Sequence, residues 1–308
     1  MMNLNVLAPV ALFAFNRPEH TRRTLEAIAN NDLASATDLF VFVDGPRNED
    51  DVVLIREVCT IARGMDAFKS LTIVEQDANI GLAKSIVQGI DKVLEEYSNI
   101  IVLEDDIVTS PVFLNYMNAS LARYESEKKV WHICGYNEPT ENRNARQSYF
   151  SRLMNCWGWG TWRDRWQHFE RKPEKLVTEF TPEMIDRFNL DIGEKFWFQV
   201  LANVDGRMNT WAIFWYATIF KQNGLCLNPH VSYVRNIGFD GSGAHCNVDE
   251  FRNKKRKLNL EPNIEYPEIL AEDHAAFENL KKFYTLKKKK PGKIEKIKRK
   301  ILRKVISL

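Results

Sequence analysis

Short apolar runs alternate with amphipathic stretches through the first half of the chain, and this alternation limits the fold more than any other feature. Residues 10–15, 39–43, 71–74 and 100–103 form apolar runs four to six residues long. Apart from Thr72 they are continuously apolar, as expected of strands covered on both faces. Residues 19–30, 52–62, 82–97 and 111–127 show helical periodicity. The strand–helix series predicts an α/β fold with a mostly parallel, Rossmann-like central sheet covered by helices.

In open α/β sheets, ligands bind beyond the carboxyl ends of the strands. The four expected strands end in Asn16-Arg17-Pro18, Asp44-Gly45-Pro46, Asp77-Ala78-Asn79-Ile80-Gly81 and Glu104-Asp105-Asp106. Four polar ends converging on one edge mark a site. Three adjacent carboxylates after an apolar strand repel one another. A hard divalent cation, magnesium or manganese, offsets that repulsion; an acidic helix cap is the plain alternative. Asp44 suits a ribose or base contact, or a β-turn. Arg17 suits a phosphate, or solvent ahead of a helix-starting proline. Asn79 opens a turn that brings backbone near a ligand at a helix start, or simply joins strand to helix.

The second half reads differently. Seven of the eight tryptophans fall between residues 157 and 215. The Trp157-Gly158-Trp159-Gly160 stretch suits sugar faces, while at least half of these rings are expected in the core. A glycine-rich loop over 236–245 offers backbone N–H groups, Ser242 and His245 to phosphates, or is an exposed loop. His132 and His230 sit in apolar settings and are expected to be structural.

These residues together resemble the GT-A fold glycosyltransferases, in particular the N-acetylglucosaminyltransferase I type and its bacterial relatives. The likeness runs over roughly residues 10–246. It lies in RPEHTRRTLEAI (17–28), VLEDDIVTSPVFLNYM (102–117), WHICGYNE (131–138) and NPHVSYVRNIGFDGSGAH (228–245). It implies a metal-dependent, inverting transfer from a nucleotide sugar, commonly a UDP-sugar, to a glycan or lipid-linked acceptor, as in bacterial surface polysaccharide synthesis. By the same match, Asp106 would bind Mn2+ or Mg2+, and Glu104 and Asp105 would touch sugar and ribose. Asp44 would meet the base, and Arg17 the diphosphate. The family's acidic element carrying the catalytic base corresponds here to Trp211-Ala212-Ile213-Phe214-Trp215, which has no carboxylate. Asp205 is the expected replacement base, with Asp240 behind it. A non-catalytic nucleotide-sugar or glycan-binding protein on the same fold is the alternative.

The expected organisation is one domain over 4–285. It comprises a nucleotide-binding half (4–130), an acceptor-side half (131–250) and a helical extension (251–285). A basic amphipathic tail (286–308) follows. Residues 287–308 hold eleven Lys or Arg and one acid, a net of +10, which leaves −8 for the rest. Ile294, Ile297, Ile301, Val305 and Leu308 recur at spacings of three and four. Such a basic helix with an apolar stripe suits an anionic membrane surface. An acidic body argues against nucleic acid as a partner. Five scattered cysteines predict no disulfide framework, and no stretch reaches membrane-spanning length. The expected location is cytoplasmic, peripheral on the inner face of the plasma membrane.

Overall fold

The computed structural model describes residues 7–138, 144–193, 195–241 and 257–286. Its first half follows the expected alternation: β1 (Val10–Ala14), α1 (Pro18–Ala29), β2 (Asp38–Val43), α2 (Glu49–Arg63), β3 (Ser70–Glu75), α3 (Leu82–Glu96) and β4 (Asn99–Glu104). All five residues of β1 are buried, so the strand lies between two helical layers. Helix α1 starts on Pro18, whose missing N–H would be unpaired there anyway. Helix α2 starts on Asn48, whose side chain accepts from the Asp51 N–H.

A short strand β5 (Ile107–Thr109) and helix α4 (Phe113–Tyr124) lead into β6 (Val130–Cys134), β7 (Ser148–Ser151) and β8 (Trp159–Trp162). Helices α5 (Arg163–Trp166), α6 (Pro173–Glu179), α7 (Pro182–Phe188), α8 (Trp197–Val204) and α9 (Ala212–Lys221) come next, then β9 (Leu225–Pro229), β10 (Val234–Asn236) and α10 (His274–Leu286). Eight strands form one sheet in the order β3-β2-β1-β4-β8-β6-β9-β7, and β10 pairs with β5 in a separate ribbon. Pairings β1–β2, β2–β3, β1–β4 and β6–β9 are parallel. Strand β8 is antiparallel to β4 and β6, and β7 is antiparallel to β9. Six strands therefore run one way and two the other, which makes the sheet mostly parallel.

The sheet grows from β1 through β2 to β3 on one side, and the chain then returns to place β4 on the other. That reversal creates a crevice between the carboxyl ends of β1 and β4, where ligands bind in folds of this kind.

The Trp-rich segments build the core of the second half. Seven of the eight tryptophans are buried, and Trp157 is half-buried. Trp159 stacks on Trp211 with centroids 5.3 Å apart, and Trp166 lies 5.0 Å from Trp215. His132 is fully buried, stacked 5.0 Å from Trp159. Its Nδ1 accepts from Trp215 Nε1 at 3.1 Å, so its Nε2 carries the proton and donates to the Asn155 carbonyl at 3.1 Å. His132 is thus a structural group, as expected.

The extension over 251–285 is corrected in one respect. Residues 257–273 are not helical; they touch the sheet through a bridge between Gln147 and Glu265, and the helix begins only at His274. Cys59, Cys134, Cys156 and Cys226 are free thiols, while Cys246 lies outside the described residues. No helix among the described residues is long and apolar enough to cross a membrane.

Candidate functional site

Arg17 follows β1 and the acidic triplet follows β4, so the crevice at the strand reversal brings them face to face. Arg17 donates from Nη2 to both acids, at 3.0 Å to Asp106 Oδ2 and more closely to Asp105, and from Nε to Asp105 at 3.3 Å. Asp105 and Asp106 are buried. Burial works against the Arg17 charge, yet Asp105 and Asp106 outweigh it and hold the guanidinium above its ordinary range. Desolvation pushes the Glu104 carboxyl up, and the charges of Asp106 and Asp105 push it further. Asp105 is also raised, by desolvation, against the pull of Arg17. Among the described residues, Arg17 is the cation that pairs with Asp105 and Asp106.

The late segment closes over this cluster. Strand β10 pairs with β5 directly after the triplet, with Asn236 opposite Ile107. The Ile237 N–H donates to the Asp106 carbonyl at 2.8 Å, and Asn236 Nδ2 lies 3.4 Å from Asp106 Oδ1. A Cβ at Gly238 would overlap Asp106 Oδ2, so only glycine permits this approach. His20, in the first turn of α1, has its Nε2 3.1 Å from the Asp240 carboxylate. Thr24 Oγ1 donates to the Asp105 carbonyl at 2.8 Å and ties α1 to the turn after β4.

Asp44 is placed at the end of β2 but is engaged by its own chain. Oδ1 accepts from the N–H groups of Gly45 and Ile80, and Oδ2 from the Gly81 N–H and Asn79 Nδ2, at 2.9–3.0 Å. Four donors fill the acceptor positions of a carboxylate. A Cβ at Gly45 would overlap the backbone of Ala78, so the two loops interlock. Asp44 and Asn79 therefore brace the strand-end turns, and a base or ribose would have to compete with these bonds.

The remaining residues divide. Trp157 packs edge-on to Phe239, the residue after Gly238, at 5.4 Å and to Tyr136 at 4.5 Å. The corresponding stretch of the acidic element, residues 212–214, lies on α9, where Ile213 and Phe214 are buried in the aromatic core. Asp205 sits in an exposed turn after α8, and its bond to Arg207 draws its carboxyl below the usual range. Ser242 and His245 lie outside the described residues.

Sequence reasoning did not single out His20, Thr24 or Gly238 as site residues. Gly238 and Asn236 fall inside the glycine-rich loop, so composition pointed at their neighbourhood. His20 and Thr24 are single polar residues on a helix and carry no local signal.

Among the described residues, no three His, Cys, Asp or Glu side chains close into a metal cage. The oxygen-only set at the triplet still fits a hard divalent cation, which commonly takes one or two carboxylates and completes its shell with phosphate and water.

A model of the GNT-I family matches residues 2–177, more than half of the chain. No curated protein matches in sequence. Among solved structures, the chain is similar to a mannosyltransferase, PcManGT from Pyrobaculum calidifontis, described in complex with GDP-Man and Mn2+. The TM-score is 0.39 at 11% identity, covering 70% of each chain. It is also similar to S. aureus TarS 1-349, with a TM-score of 0.39 at 9% identity, covering 73% of this chain and 59% of that one.

Proposed function

Because this chain belongs to the GNT-I family of glycosyltransferases, we propose that it transfers a sugar from a nucleotide donor, a UDP-sugar, to a glycan or lipid-linked acceptor with inversion at the anomeric carbon. The observation that carries the reading is the crevice between β1 and β4, where Arg17, the acidic triplet and the 236–240 segment meet. Asp106 would hold Mn2+ or Mg2+, which when bound supplies positive charge to the leaving diphosphate. Arg17 is the resident cation of the triplet and would turn toward the diphosphate when donor binds. Glu104 and Asp105 would face sugar and ribose. Trp157 offers a ring to a sugar face at the edge of the same crevice.

An inverting transfer needs a base for the acceptor hydroxyl. Asp240 is supported by its contact with His20, which lies on α1 three residues after Arg17 and four before Thr24, the residue bonded to the Asp105 carbonyl. Asp205 is instead held by Arg207 in an exposed turn. The acceptor class and a role in bacterial surface polysaccharide synthesis follow from the expected membrane contact of residues 287–308, which lie outside the described residues.

Calorimetry with a panel of nucleotide sugars, with and without Mn2+, tests the core of this reading. One donor should bind, and more tightly with Mn2+; no binding by any donor would overturn it. With that donor, Asp240→Asn should slow turnover by ~10²–10⁴-fold with binding retained, and Asp205→Asn should change it by less than about twofold. The reverse ranking would move the base to Asp205.

A further inference from the structure

The oxygens of Asp106 are already engaged by the chain itself. Oδ2 accepts from Arg17 Nη2 at 3.0 Å, Oδ1 faces Asn236 Nδ2 at 3.4 Å, and the carbonyl accepts from the Ile237 N–H at 2.8 Å. Asp105 takes both Nη2 and Nε of the same guanidinium. The 236–238 turn is folded tightly over the pair, since the Gly238 N–H donates to Asn236 Oδ1 at 2.8 Å. A Cβ at Gly238 would overlap Asp106 Oδ2 and stand 3.1 Å from Arg17 Nη1. The surroundings of Oδ2 are thus shared between the Arg17 side chain and the Gly238 backbone.

Of these two neighbours, Arg17 is the one built to turn away. Its backbone is fixed, because its carbonyl accepts from the Thr21 N–H and from Thr21 Oγ1, both at 2.9 Å, and Pro18 follows. Its side chain is 19% exposed and rotates about single bonds. A hard divalent cation sits about 2.1 Å from its carboxylate oxygens. At Oδ2 it would meet the guanidinium, 3.0 Å from the same atom, as a like charge. Withdrawing Arg17 with nothing in its place leaves two buried acids side by side, which is unfavourable. Exchange avoids that cost. A guanidinium fork that pairs with carboxylates also pairs with the oxygens of a diphosphate, and the carboxylates it leaves then need a new cation.

We propose that Arg17 is a built-in counter-cation that keeps divalent metal off Asp106 until a nucleoside diphosphate draws its side chain away, so that metal and donor bind cooperatively. The proposal rests on the reading above that Asp106 holds the metal, and it adds when Asp106 does so. Such coupling is reciprocal: the factor by which donor tightens metal is the factor by which metal tightens donor. Lysine would do this less well, because one ammonium does not span Asp105 and Asp106 as the planar fork does.

The test is Mn2+ binding to the full chain without nucleotide, read from the electron paramagnetic resonance signal of free Mn2+. Wild type should bind Mn2+ weakly, and R17M on the order of tenfold more tightly. R17K should fall between them, and it carries the test if R17M does not fold. The gain should vanish in R17M/D106A; a gain that survives there would place the metal elsewhere and overturn the proposal. Binding to R17M and R17K no tighter than to wild type would overturn it too. Calorimetry of UDP, or of the diphosphate of whichever donor binds, then reads the coupling. Mn2+ should tighten the diphosphate on wild type by on the order of tenfold, and on R17M by a factor several times smaller. Equal tightening on both would overturn the proposal and leave the metal reading standing. If D106A keeps the Mn2+-dependent affinity of wild type, the metal reading itself fails, so the two failures are told apart.

Discussion

Between β1 and β4 the joining groups are charges and backbone N–H donors. Arg17 spans two acids, Asp44 gathers four donors, and the 236–240 segment lies on Asp106. Around β6, β8 and α9 the joining groups are rings. Trp159 touches Trp166, Trp211, Trp215 and His132, all within 6.3 Å between centroids. The first half holds a polar cluster of charges at the strand ends. The second half holds a dry aromatic core that leaves Trp157 alone among the tryptophans at its edge. The family match stops at residue 177 and so covers the crevice half in full but only the beginning of the aromatic half. The proposed site and the aromatic core thus rest on different chemistry, and substitution can separate them.

Trp159→Ala should show the largest effect. It removes a ring from the centre of the aromatic core and should cost about 3–5 kcal/mol of stability, read from urea unfolding. A cost below about 1 kcal/mol would mean that the second half is not held by its rings. Asp106→Ala should do the opposite: Mn2+-dependent donor binding falls on the order of a hundredfold, about 3 kcal/mol, while the unfolding midpoint stays near wild type. Calorimetry with intact binding would remove Asp106 from the metal reading.

Asp44→Ala breaks the simple division. Leaving the Gly45, Ile80 and Gly81 N–H groups without their acceptor should lower stability by about 2–3 kcal/mol. If stability holds and donor affinity falls instead, Asp44 contacts the nucleotide after all. The smallest effect is a pH dependence in the aromatic half. Burial pushes the His132 imidazole down to about 3 from its ordinary 6.5, so it is neutral in the folded protein. Between those values the unfolded chain binds the extra proton. Stability from this group is therefore complete above pH 6.5 and falls as pH drops toward 3, by up to about 1.4 kcal/mol per pH unit. Over pH 7 to 5 the loss should be about 2 kcal/mol, and His132→Gln should remove that slope. Identical pH profiles of urea midpoints would contradict the buried neutral imidazole.

The alternation of apolar runs and amphipathic stretches was enough to locate β1 to β4 and α1 to α4 within a few residues, because β1, β2 and β4, covered on both faces, must be largely apolar, while β3 is an exposed edge strand located by its place in the series. The triplet at 104–106 and Arg17 stood out in the sequence as candidates for a related reason: charge directly after a buried strand has few structural uses. Local order also fixed which strand ends carry polar groups. It could not fix which of those groups face one another. The position of β4 beside β1 sets Arg17 against Asp105 and Asp106, and the pairing of β10 with β5 brings Gly238 across 132 residues of chain onto Asp106. Asp44 was readable as either a ligand contact or a turn; its four internal hydrogen bonds form because Asn79, Ile80 and Gly81 arrive from another loop with their donors aligned. Likewise, residue type left the tryptophans readable as core or as sugar-facing; packing buried seven and left Trp157 half-buried. Residue type and spacing determine what each segment can do, whereas long-range contacts, whose partners lie far apart in sequence, decide which of those capacities meet.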